Sequence, residues 1–114
     1  MAVNCVTIEK TVNGYIFQVN APQNHNQPLG KSAKVYPNAG ECKNAMKSFI
    51  AMVRTHTLQT EDGRFVKIEN KGDNYYFRYY DENEQCIFER TIGYPSKANC
   101  EAGIKAVFNV VNHT

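Results

Sequence analysis

The sequence predicts an α+β fold: two tandem β-β-β-α units related by pseudo-twofold symmetry, with two helices covering one face of an antiparallel sheet. Three observations carry this. Segments recur within the chain. Val6-Thr7-Ile8-Glu9 returns as Val66-Lys67-Ile68-Glu69, Tyr15-Ile16-Phe17 as Tyr75-Tyr76-Phe77, and Tyr36-Pro37, Cys42 and Lys47 as Tyr94-Pro95, Cys100 and Lys105. Within each unit, period-2 alternation precedes a helical stripe. Leu occurs only twice in 114 residues while Val, Ile, Tyr and Phe abound, which favours strands.

Each element has a local reason. Val6, Ile8 and Val12 alternate with Thr7, Glu9 and Thr11, which predicts a strand. Asn13-Gly14 then predicts a two-residue hairpin turn, because both positions tolerate positive φ. That register sets Val12 opposite Tyr15, Lys10 opposite Phe17 and Ile8 opposite Val19, with Lys10 the one polar residue on the apolar face. Val66, Ile68, Tyr75, Phe77 and Tyr79 repeat that face. Third strands are predicted near Lys31–Tyr36 and Gln85–Ile92, with Ala21–Pro28 as a long first-unit loop. Asn38 followed by Glu41 reads as a capping box, and Ser96 is a good N-cap. The stripes Cys42, Met46, Phe49, Val53 and Cys100, Ile104, Val107, Val111 have spacings of 4, 3 and 4, so each occupies one helix face.

The expected organisation is one globular domain over 1–114, with a first repeat at 3–56, a connecting segment at 57–63 and a second repeat at 64–114. Each unit is only about 50 residues, marginal alone, so the two should share a core. Asp62-Gly63 predicts a turn in the connection, and Thr57–Thr60 a short strand before it.

The stretch from Gly93 through Tyr94, Pro95, Ser96, Lys97 and Ala98 to Gly103-Ile104 resembles the YegP-like family of small bacterial domains of unknown function. That family has a Gly-Tyr-x-Ser-Lys-Ala segment leading into a helix with a Gly-Ile pair. In the first unit the segment has drifted to Val35-Tyr36-Pro37-Asn38-Ala39-Gly40, and Ala45-Met46 replaces Gly-Ile. The resemblance implies three antiparallel strands plus a helix per unit, with two units completing one sheet and exchanging terminal strands. It implies no activity.

Composition narrows the functional classes. The net charge is +2 and the pI is near 8.3. A dedicated nucleic-acid binder usually exceeds a pI of about 9. No apolar run approaches the roughly 20 residues of a membrane span, and the first residues do not read as a signal peptide. The expectation is a cytoplasmic protein with reduced cysteines and no membrane partner.

Cys42 and Cys100 lie in the first turn of each helix stripe, where a helix N-terminus favours thiolate while apolar burial opposes it. Packing is the expected role, and a thiol-based activity at Cys42 or Cys100 is an alternative. Cys5 and Cys86 read as packing residues. His25, His56 and His113 lack metal-ligand spacing, so neither metal nor cofactor is expected. Glu9 and Glu69 read as exposed, with Glu69 opposite Arg78.

The run Tyr75–Tyr80 stands out. Alternation sends Tyr76, Arg78 and Tyr80 outward beside Lys67. The leading expectation is a non-enzymatic interaction module using these four residues, binding a protein or a small anionic ligand. Tyrosines supply stiff contact area and Arg78 an anion contact. Single-stranded nucleic acid on the same face is the alternative, because aromatic and basic side chains on a sheet stack bases. A homodimer through an open sheet edge is a further alternative to a monomer.

Overall fold

The computed structural model describes residues 6–21, 24–55 and 65–112. Cys5, His56, His113 and the predicted connection at 57–63 lie outside these residues. The order is β1 (Val6–Thr11), β2 (Gly14–Ala21), β3 (Asn24–Ser32), α1 (Ala39–Thr55), β4 (Val66–Lys71), β5 (Asn74–Tyr80), β6 (Cys86–Glu89) and α2 (Lys97–Asn112). The fold is α+β, as expected. The strands form one six-stranded antiparallel sheet in the order β1-β2-β3-β6-β5-β4. Short β3–β6 pairing, Lys31 with Glu89 and Ser32 with Phe88, joins the two halves. Each half keeps its own three described strands, so the implied strand exchange does not occur among the described residues.

The hairpins close differently from the sequence expectation. Val12 and Asn13 occupy the first turn, and Gly14 pairs with Thr11. Phe17 therefore faces Ile8 and Val19 faces Val6, and Val12 is fully exposed. The cause lies outside the hairpin. The backbones of Tyr15 and Tyr36 exchange hydrogen bonds of 2.8 and 2.7 Å, and a Cβ on Gly14 would collide with the Tyr36 carbonyl. Gly14, at φ +142°, is thus spent on this close approach. The two-residue shift preserves face parity and moves Lys10 away from Phe17. The second hairpin turns at Gly72-Asp73, so Lys67, and not Glu69, lies opposite Arg78.

The third strands are also displaced. β3 begins at Asn24, inside the predicted loop, and β6 ends at Glu89. Irregular β2–β3 pairing beyond Val19 admits the extra residues. Tyr36 and Tyr94 only bridge Tyr15 and Tyr75. Both N-caps form: Glu41 N donates to Asn38 Oδ1 at 2.8 Å, and Asn99 N to Ser96 Oγ at 3.1 Å, while the Glu41 carboxylate accepts from the Asn38 side-chain amide at 3.5 Å and not from its backbone as a capping box requires.

Both helices pack on the same side of the sheet. The core between them is aromatic at its centre, where Phe49 of α1 stacks on Phe88 at 4.5 Å and meets Tyr79 edge-on at 5.3 Å. Burying a side chain of this size contributes about 1.5–3 kcal/mol. Cys42, Phe49 and Val53 of the first stripe are buried and Met46 is half-buried, whereas all four positions of the second are buried.

Candidate functional site

With the helices on one side, the sheet turns its other face outward. One register row crosses all six strands there: Thr7, Gln18, Lys31, Glu89, Arg78 and Lys67. Alternation along β5 adds Tyr76 and Tyr80. The four predicted site residues therefore share one surface. Lys67 pairs directly with Arg78, and its Nζ lies 5.3 Å from the centre of the Tyr80 ring. Lys71 Nζ lies 5.7 Å from the Tyr76 ring centre, a cation–aromatic contact absent from the sequence reading.

Arg78 is engaged within the protein. Its Nη1 lies 3.3 Å from Glu69 Oε1 and its Nε 3.7 Å from Glu89 Oε1. Partial burial disfavours its charge, but a hydrogen bond with Tyr80 and the two carboxylates outweigh this and hold its pKa above the ordinary value. The Glu69–Arg78 contact is diagonal across the strands and only about one-third exposed. Tyr76 is also partly committed, since a Cβ on Gly93 would lie 3.1 Å from its ring. Lys67 is the one exposed member of the four, while Tyr80 is half-buried and hydrogen-bonded to Arg78.

On the first half the outward face is amide-rich. Asn20 is almost fully buried, donates to Thr7 Oγ1 at 3.3 Å and accepts from Gln18 Nε2 at 3.2 Å. These bonds satisfy a group that would otherwise be costly to bury.

A second concave feature lies on the helix side. A groove of ≈590 Å³ separates α1 from the β5–β6 turn. Tyr36, Ala45, Met52 and Ile87 form its apolar wall, over the covered rings of Phe17 and Phe49, and Asp81, Glu82 and Lys34 stand on its rim. The register shift after Tyr79 accounts for Ile87, which joins Phe88 at the core instead of alternating away from it. Sequence reasoning missed this groove. Its signal was the replacement of Gly-Ile by Ala45-Met46. Gly103 lies so close to Tyr94 that a Cβ would collide with the Tyr94 hydroxyl, whereas Ala45, also three residues beyond its helix cysteine, lines open space with Tyr36. Arg90 was missed as well. It donates to the Pro28 and Leu29 carbonyls at 2.9 and 3.2 Å and covers Tyr94 at 4.3 Å, tying β3 to the segment before α2.

Cys42 and Cys100 are thiols outside any disulfide, with no exposed surface. Burial pushes the Cys42 thiol above its ordinary pKa, which opposes thiolate formation. Cys86 is half-buried and is also pushed up, chiefly by burial, with Glu89 adding to the effect and Arg78 opposing it. Among the described residues no three His, Cys, Asp or Glu side chains converge as a metal site, and no helix is long and apolar enough to cross a membrane.

Comparison with known proteins shows the fold and a partial family match. Residues 70–111 match the family described as a domain of unknown function (DUF1508). A UPF0339 protein of Shewanella oneidensis, solved by NMR, superposes with a TM-score of 0.68 at 22% identity, covering 90% of this chain and 79% of that one. The NMR structure of the E. coli protein of unknown function yegP superposes with a TM-score of 0.72 at 20% identity, covering 97% of this chain and 88% of that one. A search of curated proteins finds no match.

Proposed function

We propose that the chain is a YegP-like, small, non-enzymatic cytoplasmic interaction module, a single domain duplicated from one β-β-β-α unit. The repeats are 3–56 and 64–114, joined by 57–63. The recurring sequence segments, the twice-run element order and the matching bridges Tyr15–Tyr36 and Tyr75–Tyr94 support the duplication. The contact surface is the outward sheet face at Tyr76, Arg78, Tyr80 and Lys67, and the mechanism is recognition without bond chemistry.

One observation carries this reading: Arg78 sits between Glu69 and Glu89. Its charge is already matched inside the protein. The face therefore offers tyrosine rings within a balanced charge pattern, which suits a protein surface better than a polyanion. A small anionic ligand would have to compete with both carboxylates. A second reading, single-stranded nucleic acid, draws support from the two lysines placed over tyrosine rings. Burial of both helix cysteines argues against the thiol alternative.

Fluorescence anisotropy with labelled single-stranded DNA and RNA at low and moderate salt separates the first two readings. The protein reading expects no binding. Salt-sensitive binding lost in Tyr80→Ala would replace it with the nucleic-acid reading, because phosphate contacts release counterions. Affinity capture from the source cell should then yield a protein whose retention depends on Tyr80. Tyr80→Ala should keep the wild-type melting temperature. Failure of Tyr80→Ala to change retention would remove the sheet face as the site.

A further inference from the structure

The groove beside α1 lies across the sheet from the face discussed above and is independent of it. We propose that it is a binding site for a small organic cation with an apolar, ring-sized body.

Its size is the first argument. At ≈590 Å³ it falls inside the roughly 300–1,000 Å³ range of small-molecule sites. Its wall is the second. Tyr36, Ala45, Met52 and Ile87 are each only half-buried and converge on one concavity, with Phe17 and Phe49 behind them. A flat apolar body covers surface there that water now wets, and Met52 adapts to its shape.

The rim sets the sign of the ligand. Two carboxylates, Asp81 and Glu82, stand against one ammonium, Lys34, an excess of one negative charge. The Lys34 ammonium already donates to Gln85 Oε1 at 3.1 Å. Asp81 is held in place: its Oδ1 accepts from Asn83 N at 2.8 Å and Gln85 N at 3.0 Å, and its backbone bonds Gln85 O and Glu84 N. The Asp81 carboxylate is therefore preorganised, so less ordering of this group is required when a cation arrives. In the second half Tyr94 lies against Gly103, the position that corresponds to Ala45.

The test is a titration of the full-length ¹⁵N-labelled protein with three probes sharing one ring: tryptamine, neutral indole and indole-3-acetate. Tryptamine should move the amides of Ser48, Met52, Asn83 and Ile87 at low-millimolar concentration. Indole should bind more weakly, and indole-3-acetate about tenfold or more weakly than the amine. Ser48→Phe, an exposed position on the groove wall, should block all binding while keeping the fold. The double variant Asp81→Asn/Glu82→Gln should abolish the preference for the amine over the acid without filling the groove, which gives a second readout should Ser48→Phe unfold. No response to tryptamine, equal affinity for amine and acid, or shifts confined to the sheet face would each overturn the proposal.

Discussion

Tyr94 rests on Gly103 so closely that a single added methyl group would strike the tyrosine hydroxyl and ring. Gly103 is in the middle of α2 and buried. An isolated helix would gain about 1 kcal/mol from Gly→Ala. Here overpacking should cost about 1–3 kcal/mol and dominate. Gly103→Ala should therefore lower the urea midpoint, and the same change in a Tyr94→Ala background should raise it.

The two positive-φ glycines should respond unequally. Gly72, at φ +65°, has open space around a built Cβ, so Gly72→Ala should cost about 1 kcal/mol and Gly72→Asn less. Gly14 adds a collision with the Tyr36 carbonyl to its φ of +142°. Gly14→Ala should cost roughly 2–4 kcal/mol. Thermal melts of the three variants check the order.

Stability should fall at alkaline pH. Burial is the leading cause that raises the pKa values of Cys42, Cys86, Tyr36, Tyr79 and Tyr94. All five are neutral when protonated, and their folded pKa values lie above the ordinary 9.0 for thiols and 10.0 for phenols. The unfolded chain therefore loses these protons first. The contribution is complete below those ordinary values and is lost as pH rises through the folded ones. Urea midpoints should decline above about pH 9. In the native protein at neutral pH, a thiol reagent should leave Cys42 and Cys100 unmodified until unfolding.

The Arg78 clamp should contribute little to stability. Its partners are about one-third exposed, so solvent screens both ion pairs. Arg78→Ala should cost below about 1 kcal/mol at low salt, and the difference should shrink in high salt. Urea titrations at two ionic strengths measure this. A loss that salt does not reduce would assign Arg78 a packing role instead.

The caps make an additive pair. Asn38→Ala and Ser96→Ala remove acceptors from the first turns of separate helices. Each should cost about 1 kcal/mol, and the double variant should show the sum because the sites share no partner. Calorimetry of the four proteins tests it.

Much of the architecture was legible because its signals are local. Both caps, both helix stripes and the inward faces of β2 and β5 follow from side-chain period and hydrogen-bonding capacity within a few residues. The outward cluster Lys67, Tyr76, Arg78 and Tyr80 was legible for the same reason, since strand alternation assigns a face without knowledge of the neighbours. Hairpin registers were not legible. Asn13-Gly14 has the composition of a turn, yet Gly14 is needed where Tyr36 approaches, more than twenty residues along the chain.

Residue chemistry along the chain thus sufficed for the α+β class, the order of strands and helices and the choice of buried face, because these depend on periodicity and capping. Tertiary packing decided the rest: which glycine closes a turn, that Arg78 is held by Glu69 and Glu89, and that Ala45 lines a groove while Gly103 seats a ring. Each of these depends on the distance between atoms remote in sequence, and no local pattern encodes such a distance.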